Sequence, residues 1–247
     1  MIGVFPKESC QGAIMRLREW WNTLFEHSRS VDTFDGDLPE ITKFRRAATA
    51  YAQDGDYGSA IASLERVRQF ETAGGLEPEC SSEIRRAKYL QKDGRSEEAW
   101  RNYRQLLIRH ALDPWIIDVL DAMRLHLQRE GQGGEAIAYG VAHRLARIKL
   151  YKEWRYEAEK DLSVPFKGLG TETLSHTARA NKQNEIDSSD TWLRELTEPT
   201  EVRKLAASLC KKGGVAHRTD DLAKHIGDLI TQNIGPLRFL QIEGMLP

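Results

Sequence analysis

Seven histidines, three cysteines and a few close acidic pairs are the residues of this chain with chemistry to offer. Two metal ligands on adjacent turns of one helix need a spacing of about four residues, whereas His217 and His225 stand eight apart. His126 and His143 fall within helical patterns, where a packing or surface role is expected rather than acid–base or ligand chemistry. Cys10, Cys80 and Cys210 are far apart and form no C-x-x-C pair, so neither a zinc site nor a disulfide framework is expected. Cys210 lies on an apolar helix face, the setting of a buried and inert thiol. The stretch GLGTETLSH offers Gly168 and Gly170, but no strand precedes it and no G-K-[ST] follows, so it is not read as a phosphate cradle. Glu97–Glu98 and Asp220–Asp221 open helices, where compensation of the helix dipole accounts for them. With no nucleophile, acid–base set or ligand cluster, the chain is expected not to be an enzyme and to carry neither cofactor nor metal.

Charge and hydropathy narrow the partners. The 36 Lys and Arg residues nearly balance 37 Asp and Glu, for a net charge of −1. Such a balance exerts no long-range pull on nucleic acid or anionic lipid. No apolar run approaches the ~20 residues that span a bilayer. The start, MIGVFPKESC, lacks the apolar core of a secretory signal. Together with the absence of paired cysteines, these features lead to a cytoplasmic expectation with no membrane contact.

The elements that would position any binding site are helical throughout. GAIMRLREWWNTLF carries Ile14, Leu17, Trp21, Leu24 and Phe25 at helical spacing, so 1–38 reads as an amphipathic helix and a loop. From 39 to 162 a train of helices follows, punctuated by Asp54-Gly55, Gly74-Gly75, Asp93-Gly94, Asp113-Pro114 and Gly131. Ser96 is the expected cap of one of them. Polar 163–190 reads as a linker or long loop, and 191–247 as further helices, with Thr219 as a cap and Pro236 opening the last. These last helices could cap the preceding ones or form a small domain of their own.

The turns repeat. Five residues after Gly55, Gly94 and Gly131 stand Ala60, Ala99 and Ala136, followed by Ile61, Trp100 and Ile137. Four residues before each glycine is Tyr51, Leu90 or Leu127, a bulky residue expected to fill the space beside the alanine. The glycines are 39 and 37 residues apart, the period of a stacked helix pair. AYAQDGDYGSAIASLERV and YLQKDGRSEEAWRNYRQLL closely resemble the tetratricopeptide repeat (TPR) family around its turn. LQREGQGGEAIAYGVAHRL fits less well, because Gly140 takes an aromatic position and His143 a small one. The resemblance covers about 110 residues, Glu40 to Leu150, with a spacing longer than the family's usual ~34. It implies an all-α fold: a right-handed array of antiparallel helix pairs with additional C-terminal helices.

In that family the first helix of each pair lines a concave groove. The resemblance therefore implies a partner-binding set of Arg45, Thr49 and Gln53 from the first pair, Lys88, Gln91 and Lys92 from the second, and Asp121 and Arg129 from the third. Ala52, Ile84, Leu125 and Gln128 share those positions. The first two of these helices are basic through Lys43, Arg45, Arg46, Arg85, Arg86, Lys88 and Lys92, and only Glu83 opposes them. The third carries Asp118 and Asp121. A basic entrance suits a protein segment with acidic groups, since Arg offers planar bidentate recognition of carboxylates. Arg45, Thr49 and Asp118 depart from the Lys and Asn clamp by which some members hold a C-terminal carboxylate, so a chaperone tail is not implied. Tyr151, Trp154 and Tyr156 are further candidate anchors unless they pack on the C-terminal helices. The expected function is that of a non-enzymatic adaptor, chaperone or partner-neutralising protein. The alternative is nucleic-acid binding on the basic helices, and an enzyme with a C-terminal site ranks last.

Overall fold

The computed structural model describes residues 39–163 and 172–247. The amphipathic stretch read within 1–38 and the Gly168–Gly170 loop lie outside them. The described residues form ten α-helices and no strand: α1 (Pro39–Gln53), α2 (Tyr57–Ala73), α3 (Cys80–Lys92), α4 (Ser96–Arg109), α5 (Ile116–Arg129), α6 (Gly133–Ser163), α7 (Glu172–Thr197), α8 (Pro199–Lys212), α9 (Thr219–Thr231) and α10 (Pro236–Ile242). A 3₁₀ turn, Ala216–Arg218, precedes α9. None of the helices is long and apolar enough to cross a membrane.

The three glycine turns share one hydrogen-bond pattern. Gly55, Gly94 and Gly131 adopt φ of 81°, 79° and 74°, left-handed values that only glycine reaches without steric cost. The amide after each glycine donates to the carbonyl four residues before it: Asp56 to Tyr51, Arg95 to Leu90 and Gln132 to Leu127, each at 2.9 Å. This is the Schellman closure, which satisfies carbonyls left open by the ending helix. It reverses the chain within three residues, so α1 and α2, α3 and α4, and α5 and α6 pack as hairpins. Ala60, Ala99 and Ala136 start the return helices at one register and are 0%, 0% and 2% exposed. Leu90 and Leu127 are buried beside them, as expected. Tyr51 is not: it stays 42% exposed, because no described helix covers that side of α1.

Between hairpins, α2 packs on α3 and α4 on α5, and α3 also touches α5. The main core gathers Tyr103, Leu107, Leu120, Met123, Tyr139 and Leu145 from α4–α6 with Leu209, Phe239 and Leu240 from α8 and α10. The C-terminal helices thus share a core with the hairpins instead of building a second one.

Three local expectations need correction. The segment read as a linker over 163–190 is helical from Glu172 onward. Ile186, Ser189, Leu193 and Leu196 recur at helical spacing, with Ile186, Ser189 and Leu196 buried, and the small polar Ser189 hides the stripe from a hydropathy reading. Tyr151 of α6 packs on Trp192 of α7 at 4.9 Å between ring centroids, and Arg155 pairs with Asp190 at 2.9 Å. Ser96 does not cap α4; it is the first helical residue and its hydroxyl donates to Glu130. Thr219 likewise begins α9 and turns its hydroxyl back to the carbonyl of Ala216.

The third hairpin inverts the side-chain sizes of the first two. Twelve residues before Ala60 and Ala99 are the buried Ala48 and Ala87, and four residues after them the large Leu64 and Tyr103. The corresponding positions of α5 and α6 hold Arg124 and Gly140. A Cβ on Gly140 would stand 3.2 Å from Arg124 Cδ and 2.5 Å from Leu209 Cδ2. Gly140 therefore gives space both to the Arg124 stem and to α8. Nearby, a Cβ on Gly133 would lie 2.7 Å from the carbonyl oxygen of Gly213, so α6 and α8 meet with their backbones almost in contact.

Candidate partner-binding face

The first helices of the three hairpins, α1, α3 and α5, are tied side by side. Arg85 Nη1 donates to Thr49 Oγ1 at 3.5 Å, linking α3 to α1. Gln91 Nε2 donates to the His126 carbonyl at 3.2 Å and to Glu130 Oε1 at 2.7 Å, linking α3 to α5. Arg129 Nη1 returns a hydrogen bond to Gln91 Oε1 at 3.2 Å. The bonds from Gln91 and Ser96 hold the Glu130 carboxyl below its usual pKa. These bonds bring polar groups of the three helices next to one another, and Thr49, Gln53 and Arg129 are exposed.

The eight predicted residues fall into distinct settings. Thr49, Gln53 and Arg45 border an open depression of about 370 Å³, together with Thr42, Arg46 and Arg85. Arg45 is also committed within the fold: its Nη2 lies 2.8 Å from Glu71 Oε1 and 2.6 Å from Glu79 Oε2. Glu71 is 4% exposed, and burial raises its carboxyl pKa against the lowering effect of Arg45 and the Glu79 amide. Lys88 and Asp121 form a second group with Asp118. Burial lowers the Lys88 ammonium, and burial first, then Asp121, raises the Asp118 carboxyl. Asp121 accepts from Arg124 Nε at 3.0 Å. Gln91 and Arg129 are the bridging pair described above. Lys92 leans away, its ammonium 5.0 Å over the Tyr57 ring at the start of α2.

Spacing alone did not reveal which cations are already neutralised. Glu83 is not the only acid opposing them. Arg86 Nε sits 3.1 Å from Glu65 of α2, as Arg45 does with Glu71 and Glu79. Among the described residues Arg46 and Arg85 meet no carboxylate, which makes them the available guanidinium groups at the depression. Opposite charges about one hairpin apart, as in Arg45 and Glu71, were the one signal of the pairing.

Elsewhere the reactive residue types are packed away. His126 is 3% exposed, stacked on Trp100 at 5.4 Å and edge-on to Tyr103, and burial lowers its pKa. Burial and the neighbouring Arg147, Arg124 and Arg144 bring the His143 imidazole down to about 4. Burial pushes the Cys80 thiol up to about 12, and Cys210 is buried on α8. No group of three or more His, Cys, Asp or Glu side chains is gathered for a metal among the described residues. Of the aromatic anchors proposed on α6, Tyr151 is buried, Trp154 is half-buried against it, and Tyr156 is 62% exposed. Comparison with family models, with curated proteins and with solved structures gives no match.

Proposed function

We propose that the hairpins form a tetratricopeptide-like, right-handed array and that the protein is a non-enzymatic adaptor, chaperone or partner-neutralising protein. Its α1/α3/α5 face holds a segment of another protein. The observation that carries this reading is the placement of charge on that face. Arg45 is paired with Glu71 and Glu79 and Arg86 with Glu65, whereas Arg46 and Arg85 flank an open depression and meet no carboxylate among the described residues. A cation with no carboxylate against it beside a hollow suits an acidic group arriving from outside. The repeated turn supports the array, because hairpins closed by one pattern at one register can stack in one way along the chain.

The test is affinity capture followed by identification of the bound protein, comparing two charge reversals. Arg46→Glu with Arg85→Glu alters the proposed face, and Arg66→Glu with Arg101→Glu alters the exposed sides of α2 and α4. The partner is expected to be lost with the first pair and kept with the second. The opposite pattern would move the binding surface to the second helices. Retention of nucleic acid instead of a protein would favour the alternative use of the basic helices.

A further inference from the structure

Away from that face, α6 and the α9–α10 connection leave a gap between them. After α9 the chain turns at Asn233, whose φ of 54° is the one left-handed value at a non-glycine among the described residues. The Ile234 amide closes this turn on the Leu229 carbonyl at 3.0 Å. The turn carries Ile234 and Gly235 across α6 before α10 comes back onto it. Beneath lies a cavity of about 350 Å³ whose walls include Leu145, Ile148, Ile230 and Ile234. Lys149, Lys152, Glu153 and Tyr156, all exposed, stand at its mouth.

The charge at this mouth is not balanced. Lys149 Nζ is 3.6 Å from Glu153 Oε1. Lys152 meets no carboxylate among the described residues; its ammonium donates to the neutral side-chain oxygen of Asn233 at 2.7 Å. One lysine is thus held in place by an uncharged acceptor beside an apolar hollow. A hollow with a few convergent polar groups is the usual form of a small-molecule site. The volume matches about a dozen water-sized groups at ~30 Å³ each, and methylenes are of similar size.

We propose that this cavity binds a small aliphatic carboxylic acid, with the alkyl chain against the isoleucines and the carboxylate on Lys152. The site shares no residue with the α1/α3/α5 face, so it is independent of the partner-binding reading. Isothermal titration of the full chain tests it with octanoate, octylamine, octanol and an acetylated tripeptide ending in a free leucine carboxylate. Octanoate is expected to bind, and octylamine and octanol at least about tenfold more weakly. Lys152→Gln is expected to lose about ten- to a hundredfold of the octanoate affinity, the range for a hydrogen bond to a charged group. Ile230→Trp is expected to abolish binding by filling the hollow while thermal unfolding shows the variant folded. No octanoate binding, equal binding of octanol, or an unchanged Lys152→Gln affinity would each overturn the proposal. Binding of the peptide acid without octanoate would overturn the small-molecule assignment in favour of a polypeptide C-terminus.

Discussion

Substituting Gly133 and its neighbour Gly134 by alanine should have effects of opposite sign. Both begin α6 and neither has a left-handed φ, so alanine suits the backbone at either place. A Cβ on Gly134 would meet nothing within 4 Å. Gly134→Ala should therefore gain part of the helix propensity difference, up to about 0.5–1 kcal/mol. A Cβ on Gly133 would stand 2.7 Å from the oxygen, 2.8 Å from the Cα and 3.0 Å from the carbonyl carbon of Gly213. All three are backbone atoms and cannot rotate aside. Restoring a contact of 3.4 Å requires α6 and α8 to part by roughly 0.7 Å. Overpacking of this kind costs about 1–3 kcal/mol, which against the propensity gain leaves a net loss of up to about 2.5. Urea unfolding of both variants measures the sign. Maleimide labelling of Cys210, 1% exposed on α8, followed by peptide mapping, should be faster in Gly133→Ala. A Gly133→Ala protein as stable as Gly134→Ala, with Cys210 equally protected, would refute the close backbone crossing.

Three other outcomes follow from the structure. Stability should fall on acidification from about pH 6.5 to 4, because His126 and His143 have lowered folded-state pKa values and the unfolded chain takes up the protons there. The full shift of His143 to about 4 would correspond to roughly 3 kcal/mol, and its half-buried position reduces that to about 1–2. Urea midpoints across this range should be flatter for His143→Gln. Arg45→Ala should cost about 2 kcal/mol at neutral pH by stranding the buried Glu71 carboxylate. Thermal melts should show the deficit shrinking as the pH is lowered, because loss of Arg45 removes a group that holds the Glu71 pKa down and lets the carboxyl take up a proton more readily. Gly94→Ala should lose about 1–2 kcal/mol in a denaturation midpoint despite open space around it, since its φ of 79° is the only obstacle.

The hairpin turns were legible because their determinants are local. A glycine forced to positive φ and an alanine at a fixed distance after it leave their trace within about ten residues, as Gly94 and Ala99 do. Features decided by distant partners were not. Arg45 and Arg86 read as free groove cations until Glu71, Glu79 and Glu65 are placed against them by the packing of α2 and the start of α3. The helix over Glu172–Thr197 was hidden because its contact residues include Ser189, and because Tyr151 and Trp192 recognise each other across some forty positions of sequence. Of the predicted face, the ladder from Thr49 through Arg85 and from Gln91 to Arg129 lies along adjoining helices, whereas the lean of Lys92 toward Tyr57 is a rotamer choice that no spacing rule reveals.

The misfit of the third hairpin has a physical use. In the first two, a small residue on the first helix, Ala48 or Ala87, is matched by a large one on the second, Leu64 or Tyr103. In the third, the large side chain is Arg124, whose stem lies along Gly140 while its guanidinium reaches Asp121 and Gln128. The second helix is thereby left with a bare backbone patch formed by Gly133 and Gly140. Leu209 of α8 and Gly213 just past its end occupy that patch. A large side chain at 140, like Leu64 and Tyr103 in the other two hairpins, would displace α8 and expose Val202, Ala206 and Leu209, all buried at present. The departure from the repeat is therefore what lets the hairpins end against α8 and α9 in a common core. Changes that restore the repeat at position 140 should weaken the fold rather than strengthen it.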